Sequence, residues 1–365
     1  MQLRDRRRRA LRAAEEKGAD ALLVAHGPDV RYLSGFTGSS GALALTVGNP
    51  VSAALFTDGR YTTQAKTEAA GMRIVIGKGA PGGLAAAWLA ERGAKKCAFD
   101  AATTTVADLE GMRKAVPGSV RRSFLVASRG LVARLRERKD AEEIALVRRA
   151  ANLGCRLFEH VLEKIVPGAT ETEIALAMEF EARRAGAEAM SFETIVASGT
   201  RSALPHGRAS AAKLPKRGFV TLDFGVLLDG YCSDMTRTVH MGRATSREWD
   251  VYHSVLEAQE AGVAAVAPGV CCGDVDEAAR SVLRKAGLEK WFTHSTGHGV
   301  GLEIHEGPRL AAKQEQVLEQ GMVVTIEPGV YLPGEFGVRI EDMVLVTETD
   351  GEVLTAASPT AWMEL

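Results

Sequence analysis

Four acidic residues stand where they can do chemistry together. Asp223 and Glu327 end the apolar runs FVTLD and VVTIE, where an ordinary buried strand would continue with valine or isoleucine. A return strand follows each run and adds one further acid, Asp234 or Glu341. A buried carboxylate is costly unless it is paired with a cation or binds a metal. Four such anions in one region repel one another, and two divalent cations would balance their formal charges.

A glycine-flanked loop before the Glu327 run can add nitrogen ligands to these acids. His298 lies in its segment GHG, and His305 follows in the same loop. Oxygen ligands with one imidazole form a site that suits Mn, Co, Fe or Zn better than Cu or a thiolate-bound ion. Two such ions about 3.5 to 4 Å apart activate a bridging water and polarise the bond under attack. The chemistry predicted from these residues is hydrolysis.

Two further polar residues are placed to serve the acid cluster. His206 stands between a proline and a glycine, in a loop that precedes the Asp223 strand, so we expect a functional role for its imidazole. Arg339 stands two residues before Glu341 and therefore on the same face of a strand. We expect its guanidinium to orient an acid of the site.

The elements that carry these residues form an internal repeat. In each half a Pro-Gly pair opens a helix that ends at a glycine, and the spacing is the same from Gly168 to Gly186 and from Gly269 to Gly287. The first of these helices begins with a capping box in the segment TETE. Each helix leads to a histidine-bearing loop and then to two strands with one acid each. This order predicts a pseudo-twofold α+β domain in which two similar halves face one central site.

Composition excludes several classes of protein. The chain has 365 residues, of which 46% are hydrophobic and 25% charged, which is ordinary for about two globular domains. No run of about 18 apolar residues is present, so we expect no membrane partner. A net charge of −1 gives no general attraction to nucleic acid. The basic start lacks an apolar signal segment, and five cysteines without a C-x-x-C pair predict a reducing cytoplasm.

The first third of the chain has the alternating pattern of an α/β domain. The predicted strands are 21–25, 42–47, 53–57, 72–76, 97–99 and 124–127, and the predicted helices are 62–70, 84–93 and 106–116. A charged helix begins near Asp140. The expected organisation is an N-terminal α/β domain over residues 1–133, a linker at 134–139 and a catalytic domain over 140–365.

Several segments resemble a known family. LDFGVLLDGYCSDMTRTV, HSTGHGVGLEIHEGPRL, TIEPGVY and GVRIEDMVLVT are similar to the metal-binding motifs of the M24 metallopeptidases, which share the pita-bread fold of aminopeptidase P, prolidase and methionine aminopeptidase. The resemblance covers the chain from about Arg138 onward. The segments GFTGSSG and FTDGRYTTQA resemble the creatinase-like N-terminal domain of bacterial Xaa-Pro peptidases, which methionine aminopeptidases lack. The resemblance therefore favours the proline-directed branch.

The resemblance implies two divalent metal ions, with manganese the first candidate and cobalt, zinc or iron as alternatives. The five implied ligands are Asp223, Asp234, His298, Glu327 and Glu341. Asp234 and Glu341 would contact both ions. Asp223 would bind one ion, whereas His298 and Glu327 would bind the other, with a hydroxide bridging the pair. Glu327 also matches the residue that accepts a proton from the attacking water.

The resemblance also implies substrate contacts. His206 matches a histidine near the scissile bond, and His305 matches one that stabilises the carbonyl oxygen as negative charge develops. His294 matches a histidine that lines the proline pocket. Arg309 matches an arginine that meets the carboxylate of a dipeptide in some prolidases, which favours a dipeptidase. The predicted catalytic residues are His206, His305 and Glu327, and the predicted substrate-binding residues are His294, Arg309 and Arg339.

The expected function is a dinuclear metallo-exopeptidase, a homodimer, that cleaves the N-terminal Xaa-Pro bond of dipeptides, longer peptides or both. An Xaa-Pro bond has no amide N–H, so peptidases that rely on that donor bind it poorly. Two alternatives stay open. One is a pita-bread hydrolase of a small non-peptide C–N bond, like creatinase or ectoine hydrolases. The other is an inactive pita-bread module that binds proteins, although such modules lose metal ligands and this chain retains all five.

Overall fold

The computed structural model describes residues 2–47, 52–69 and 71–365. The chain divides into two compact units, one that extends to Arg136 and one that spans Glu137–Leu365. A short helix, Ala133–Glu137, occupies most of the segment for which the sequence predicted a linker. Among the described residues, no helix has both the length and the apolar character needed to cross a membrane.

A mixed sheet forms the centre of the first unit. Its strands are β1 (Ala21–Val24), β2 (Gly41–Thr46), β3 (Ser52–Thr57), β4 (Arg73–Ile76), β5 (Cys97–Asp100) and β6 (Leu125–Ser128). They pair in the order β4-β3-β2-β1-β5-β6. The pairs β1/β2 and β2/β3 are antiparallel, and the remaining pairs are parallel. The short apolar runs that predicted these strands are confirmed.

The helices of the first unit are α1 (Gln2–Glu15), α2 (Gly27–Ser34), α3 (Thr62–Glu68), α4 (Pro81–Glu91), α5 (Val106–Ala115) and α6 (Ala133–Glu137). Helix α4 packs through Ala85, Ala86 and Leu89 into a core with Phe56 and Phe124. The predicted helices at 62–70, 84–93 and 106–116 are confirmed as α3, α4 and α5. Ala70, the last residue of the first prediction, lies outside the described residues.

Helix α2 was not predicted. It has eight residues, too few for an apolar periodicity to be recognised. The residue types at its two ends nevertheless explain where it begins and ends. Pro28 lies in the first turn, where its missing N–H costs nothing, and Gly35 ends the helix with φ of 80°.

The helices of the second unit are α7 (Ala141–Leu162), α8 (Glu171–Arg184), α9 (Ser246–Ala264) and α10 (Cys272–Lys285). Capping boxes begin α7, α8 and α9, and the box at α8 is the predicted pair of Thr170 and Glu173. Gly186 and Gly287 follow α8 and α10 with φ of 98° and 71°, a left-handed conformation that glycine adopts without steric cost. The two Pro-Gly to Gly repeats are therefore two equivalent helices.

Two antiparallel sheets carry the site. The strands of the second unit are β7 (Ala189–Met190), β8 (Ile195–Ser198), β9 (Gly218–Phe224), β10 (Val226–Leu228), β11 (Tyr231–Cys232), β12 (Met235–Met241), β13 (Gly297–Gly299), β14 (Glu306–Leu310), β15 (Val323–Ile326), β16 (Gly329–Leu332), β17 (Phe336–Arg339), β18 (Asp342–Val346) and β19 (Gly351–Val353). One sheet has the order β12-β9-β8, and the other has the order β14-β13-β15-β18-β19. Smaller sheets pair β11-β10-β7 and β16-β17.

The two halves are built alike and meet at one bridge. The first half runs α7, α8, β8, β9 and β12, and the second runs α9, α10, β13, β15 and β18. In each half the two long strands are antiparallel neighbours, β9 with β12 and β15 with β18. An isolated antiparallel bridge between Thr236 and Glu341 joins the halves. The predicted pseudo-twofold arrangement is confirmed.

Each half has its own apolar core between its helices and its sheet. In the first half, Phe158 of α7 and Met178 of α8 pack with Leu222 of β9. In the second half, Val275 of α10 packs with Ile326 of β15. The helices therefore cover one face of each sheet and leave the opposite faces to form the site.

Candidate metal centre

One cavity of about 650 Å³ gathers every candidate residue of the sequence analysis. Its lining includes the acids and histidines proposed as ligands together with the other histidines and arginines: Asp223, Asp234, His298, Glu327, Glu341, His206, His294, His305, Arg309 and Arg339. The order of the chain separates these residues by as many as 135 positions, from 206 to 341. Folding therefore brings the two halves of the repeat to one place.

Strand alternation directs the first acid of each half into the cavity. Leu222 and Phe224 are buried in the helix-side core, so Asp223 between them points to the other face of β9. Ile326 is buried in the core of the second half, and Glu327 follows it on the cavity side. One polar residue in an apolar strand thus becomes a side chain directed at the site.

The return strands supply the other two acids. Asp234 directly precedes β12, and Glu341 directly precedes β18. Ile326 pairs with Asp342, so Glu327 and Glu341 lie next to each other at the end of that ladder. Thr236 Oγ1 donates a 2.7 Å hydrogen bond to Glu341 Oε2, across the bridge that joins the halves.

The ligand atoms are spaced to hold a cation. Asp234, His298 and Glu341 each offer one atom, and these atoms all lie within 4.8 Å of one another. His298 Nε2 is 3.6 Å from Asp234 Oδ2 and 3.5 Å from Glu327 Oε1. These distances are too long for strong hydrogen bonds. They match two ligands of a shared ion, since ligand bonds of about 2.0–2.2 Å place adjacent ligand atoms about 3 to 4 Å apart.

The imidazole of His298 is oriented as a ligand. Its Nδ1 donates a 3.0 Å hydrogen bond to the Gly299 carbonyl, which leaves the Nε2 lone pair directed at Asp234 and Glu327. Burial lowers the pKa of His298 to about 4, so the ring is neutral at neutral pH. A neutral imidazole is the form that binds a metal ion.

The protein groups near the buried acids supply too little positive charge to offset the burial of these carboxylates. Burial, followed by the nearby charge of Glu341, raises the pKa of Asp234 well above its usual value. Burial, followed by the charge of Glu327, does the same to the pKa of Glu341. Burial raises the pKa of Glu327 to about 8. Cations at this position would remove the cost of keeping these groups ionised.

Arg339 contacts Asp223 rather than its strand neighbour Glu341. Its Nη2 donates to Asp223 Oδ2 at 2.6 Å, its Nε to Thr236 Oγ1 at 3.1 Å, and its Nη1 to the Pro205 carbonyl at 3.0 Å. The side chain is 4% exposed. Its nitrogens are thus occupied by protein groups and its guanidinium is placed to orient Asp223, whereas the expected substrate contact of Arg339 stays a prediction.

His294 is held by Tyr331, which sequence reasoning did not identify. His294 Nδ1 donates to the Ser295 carbonyl at 2.9 Å, and Tyr331 Oη donates to His294 Nε2 at 2.9 Å. Arg339 Nη1 donates to the same Tyr331 oxygen at 2.6 Å. Burial lowers the pKa of His294 to about 4, in agreement with a neutral ring. Both ring nitrogens are engaged by protein groups, and the ring lines the cavity.

Three candidate side chains are exposed at the cavity: His206, His305 and Arg309. The ring of His305 packs edge-on against that of His298, with centroids 4.3 Å apart. Partial burial lowers the pKa of His305, and neighbouring His206 adds to the effect. Arg309 pairs with His298 across the β13/β14 ladder, which places it beside the ligand cluster. These exposed groups are accessible to a molecule that enters the cavity.

Each of the two units matches a known protein family. Residues 145–348 match metallopeptidase family M24, and residues 6–138 match the creatinase/prolidase N-terminal domain. The family match in the second unit spans all ten candidate residues. The predicted family and fold class are confirmed.

Individual relatives extend over the whole chain. An uncharacterized peptidase of Bacillus subtilis, YqhT, is 40% identical over 338 residues, which cover 93% of this chain and 94% of the relative. The structure of an Xaa-Pro dipeptidase from Bacillus anthracis has a TM-score of 0.94 at 39% identity, with all of both chains covered. The X-Pro aminopeptidase from Thermotoga maritima has a TM-score of 0.87 at 34% identity, covering 97% of this chain and 100% of that one. The chain therefore belongs to metallopeptidase family M24 and is a divalent-metal peptidase.

Proposed function

We propose that this enzyme is a dinuclear-metal exopeptidase that hydrolyses the N-terminal Xaa-Pro bond, with a preference for dipeptides. The observation that carries the proposal is the convergence of four carboxylates and the neutral imidazole of His298 in one cavity. The names of its relatives support the choice of substrate, since an Xaa-Pro dipeptidase and an X-Pro aminopeptidase share the fold over nearly the whole chain.

Two ions fit the donors better than one. The carboxylates of Asp223, Asp234, Glu327 and Glu341 carry four negative charges when ionised, and two divalent ions balance them. The donor set of carboxylate oxygens and one imidazole favours manganese, with cobalt, zinc or iron as alternatives. Asp234 and Glu341, which with His298 offer ligand atoms within 4.8 Å of one another, would be the shared ligands.

The protein's own residues then divide the work of hydrolysis. When bound, the ions supply a nucleophilic water and polarise the carbonyl under attack. Glu327 would act as the proton acceptor, and its carboxylate is held by Thr325 Oγ1, which donates to it at 3.3 Å. His305, exposed beside His298, stabilises the negative charge that develops on the carbonyl oxygen. His206 contacts the substrate near the scissile bond.

We attribute selectivity for proline to the part of the cavity lining that includes His294. His294 forms part of one wall, and its nitrogens are satisfied by Ser295 and Tyr331. That wall offers an apolar surface to a pyrrolidine ring and demands no amide N–H from the substrate. Arg309 is exposed and lies beside the ligand cluster, where its guanidinium can bind the carboxylate of a dipeptide.

The test is hydrolysis of Ala-Pro, Ala-Pro-Ala and Ala-Ala-Ala by metal-stripped protein with and without added Mn²⁺. We expect alanine to be released from Ala-Pro only when the metal is present. Asp223→Asn, with unchanged folding, should be inactive. Failure of every metal to support cleavage of either proline peptide would overturn the proposal in favour of a small-molecule C–N hydrolase.

Arg309→Ala separates the dipeptidase from the aminopeptidase. If Arg309 binds the proline carboxylate, KM for Ala-Pro should rise by about 10- to 100-fold, the range expected for loss of one charge-assisted contact. KM for Ala-Pro-Ala should change less, because its carboxylate lies one residue further away. Faster cleavage of Ala-Pro-Ala than of Ala-Pro by the unmodified enzyme would instead indicate an aminopeptidase.

Our expectation of a cytoplasmic homodimer also belongs to this proposal. The five cysteines, all within the described residues, are unpaired, and four of them are buried, as suits a reducing compartment. The family resemblance supports the dimer. Sedimentation velocity of the metal-loaded enzyme tests it directly, since a monomer would sediment at about 39 kDa.

A further inference from the structure

A buried carboxylate ties down both ends of the loop that carries His206. Glu171, in the first turn of α8, is fully buried and accepts hydrogen bonds through both oxygens. The donors to Oε1 are the backbone N and Oγ of Ser198, at 2.8 and 3.0 Å. The donors to Oε2 are the backbone N and Oγ of Ser210, at 3.1 and 2.7 Å. Arg201 Nε completes the set, 3.0 Å from Oε2.

The segment between Ser198 and Ser210 has further attachments. Arg201 Nη2 donates to the carbonyl of Arg208 at 2.7 Å, which closes the loop on itself. Arg339 Nη1 donates to the carbonyl of Pro205, directly before His206. Within the described part of the chain no hydrogen bond holds the His206 ring, which is exposed at the cavity. The position of this imidazole therefore depends on the backbone that Glu171 anchors.

The second half of the repeat also has a buried carboxylate that holds the backbone of a histidine-bearing loop. Asp276 of α10 is 1% exposed, and its Oδ1 accepts from the backbone N and Oγ1 of Thr296, at 3.1 and 2.8 Å. Arg280 donates to both oxygens of Asp276, at 2.9 and 3.0 Å. The same guanidinium donates to the carbonyls of Phe292 and His294, at 3.3 and 3.1 Å. Asp276 and Arg280 thus hold the backbone on both sides of the His294 ring.

We propose that Glu171 and Asp276 are positioning residues, each of which fixes through its buried carboxylate the loop that brings one histidine, His206 or His294, to the cavity. Neither carboxylate lines the cavity, so neither contacts the substrate directly. Both carboxylates accept hydrogen bonds from several protein donors. Because the carboxylates are buried, water cannot take the place of a donor that is lost. A displacement of about 1 Å in a substrate-contacting group costs up to about 100-fold in rate, which makes such anchoring consequential.

The test combines each anchor variant, Glu171→Gln or Asp276→Asn, with each histidine variant, His206→Ala or His294→Ala. The kinetic measurement rests on the proposed proline-peptidase function. We expect Glu171→Gln to lower kcat/KM for Ala-Pro by about 10-fold or more in the unmodified enzyme and in His294→Ala, but by less than about 2-fold in His206→Ala. Asp276→Asn should show the reverse pattern, with its effect lost only in His294→Ala. Equal effects of Glu171→Gln in both histidine backgrounds would overturn the proposal, because a general loss of structure acts on all backgrounds alike.

Glu143→Gln is the matched control. Glu143 is also a buried glutamate in the first turn of a helix, where it accepts from Tyr231 Oη at 2.8 Å, and it does not line the cavity. The Glu143→Gln substitution should lower the free energy of unfolding without changing kcat/KM in the unmodified enzyme, in His206→Ala or in His294→Ala. Ser210→Ala removes one of the Glu171 contacts, the hydrogen bond from Ser210 Oγ, and replaces Glu171→Gln in the cycle if that variant does not fold.

Hydrogen exchange tests the anchoring without any assay of activity. Amides of residues 199–209 should exchange about 10-fold faster or more in Glu171→Gln than in the unmodified protein, and at the unmodified rate in Glu143→Gln. Unchanged exchange in this segment would refute the anchoring role. If metal-loaded enzyme cleaves no proline peptide, the proposed function fails, and the exchange measurement still decides whether Glu171 fixes the loop.

Discussion

Arg339 Nη2 lies 2.6 Å from Asp223 Oδ2, so an arginine of the second half of the repeat orients an acid of the first half. The pair is almost fully buried, with side-chain exposures of 4% and 13%. The same guanidinium reaches Thr236 and Tyr331. A single side chain therefore links the candidate metal ligand Asp223 to Tyr331, which holds the cavity-lining His294.

Arg339→Lys is expected to weaken metal binding. An ammonium cannot reproduce a planar group that donates to Asp223, Thr236 and Tyr331 at once. Loss of a residue that orients a ligand typically costs 10- to 100-fold in metal affinity or activity, and we expect about that range for both. Dialysis against a competing chelator measures the affinity. Arg284→Lys, in an exposed pair with Glu277, is the control and should behave as the unmodified enzyme; equal metal affinity in both variants would contradict the role of Arg339.

Asp234→Asn should separate metal binding from stability. Burial and the nearby charge of Glu341 raise the pKa of Asp234, so the ionised carboxylate destabilises the metal-free fold at neutral pH. We expect the variant to lose bound metal and turnover, and the metal-free form to unfold at a temperature equal to or above that of the unmodified protein. Elemental analysis and thermal unfolding measure the two effects. Asp250→Asn, at an exposed position, should change neither.

Tyr331→Phe should damage the pocket wall. Removing the hydroxyl leaves His294 Nε2 without its donor and Arg339 Nη1 without one acceptor. An unsatisfied buried polar group costs about 1–3 kcal/mol in the free energy of unfolding. We expect KM for Ala-Pro to rise as well. Tyr252→Phe also removes a buried hydroxyl, one that donates to the Thr360 carbonyl at 2.8 Å, and should lower stability while leaving KM unchanged.

His294 should make the metal-free protein sensitive to acid. Burial lowers its folded-state pKa to about 4, whereas an unfolded histidine has a pKa of about 6.5. Between these values the unfolded chain binds a proton that the folded chain does not, so stability is lost as pH falls from about 6.5 toward 4. Between pH 7 and pH 5 the loss due to this group is about 2 kcal/mol. Urea unfolding of His294→Gln should show a correspondingly smaller loss than the unmodified protein; an identical pH dependence would refute the assignment, and exposed His160→Gln is the control.

The sequence predicted several features because they depend on local patterns. Apolar runs predicted the strands of the first unit, and the capping box predicted the start of α8. From the sequence alone, however, Glu171 and Glu173 of the segment TETE cannot be distinguished, because both are glutamates in the first turn of a helix. Glu173 caps the helix in solvent, whereas Glu171 is buried against Ser198 and Ser210. Only the packing of α8 on its neighbours distinguishes them.

The sequence by itself therefore determined the family, the repeat and the acids that interrupt apolar strands, because strand alternation and helix boundaries act over a few residues. It also predicted that Arg339 orients an acid, but not which one. The partner is Asp223, 116 positions away, and Tyr331 joins His294 across 37 positions. Such contacts form only when elements distant in sequence pack together, between the halves for Arg339 and Asp223 and within the second half for His294 and Tyr331, and no local pattern encodes which side chains then meet. The tertiary structure alone decided them.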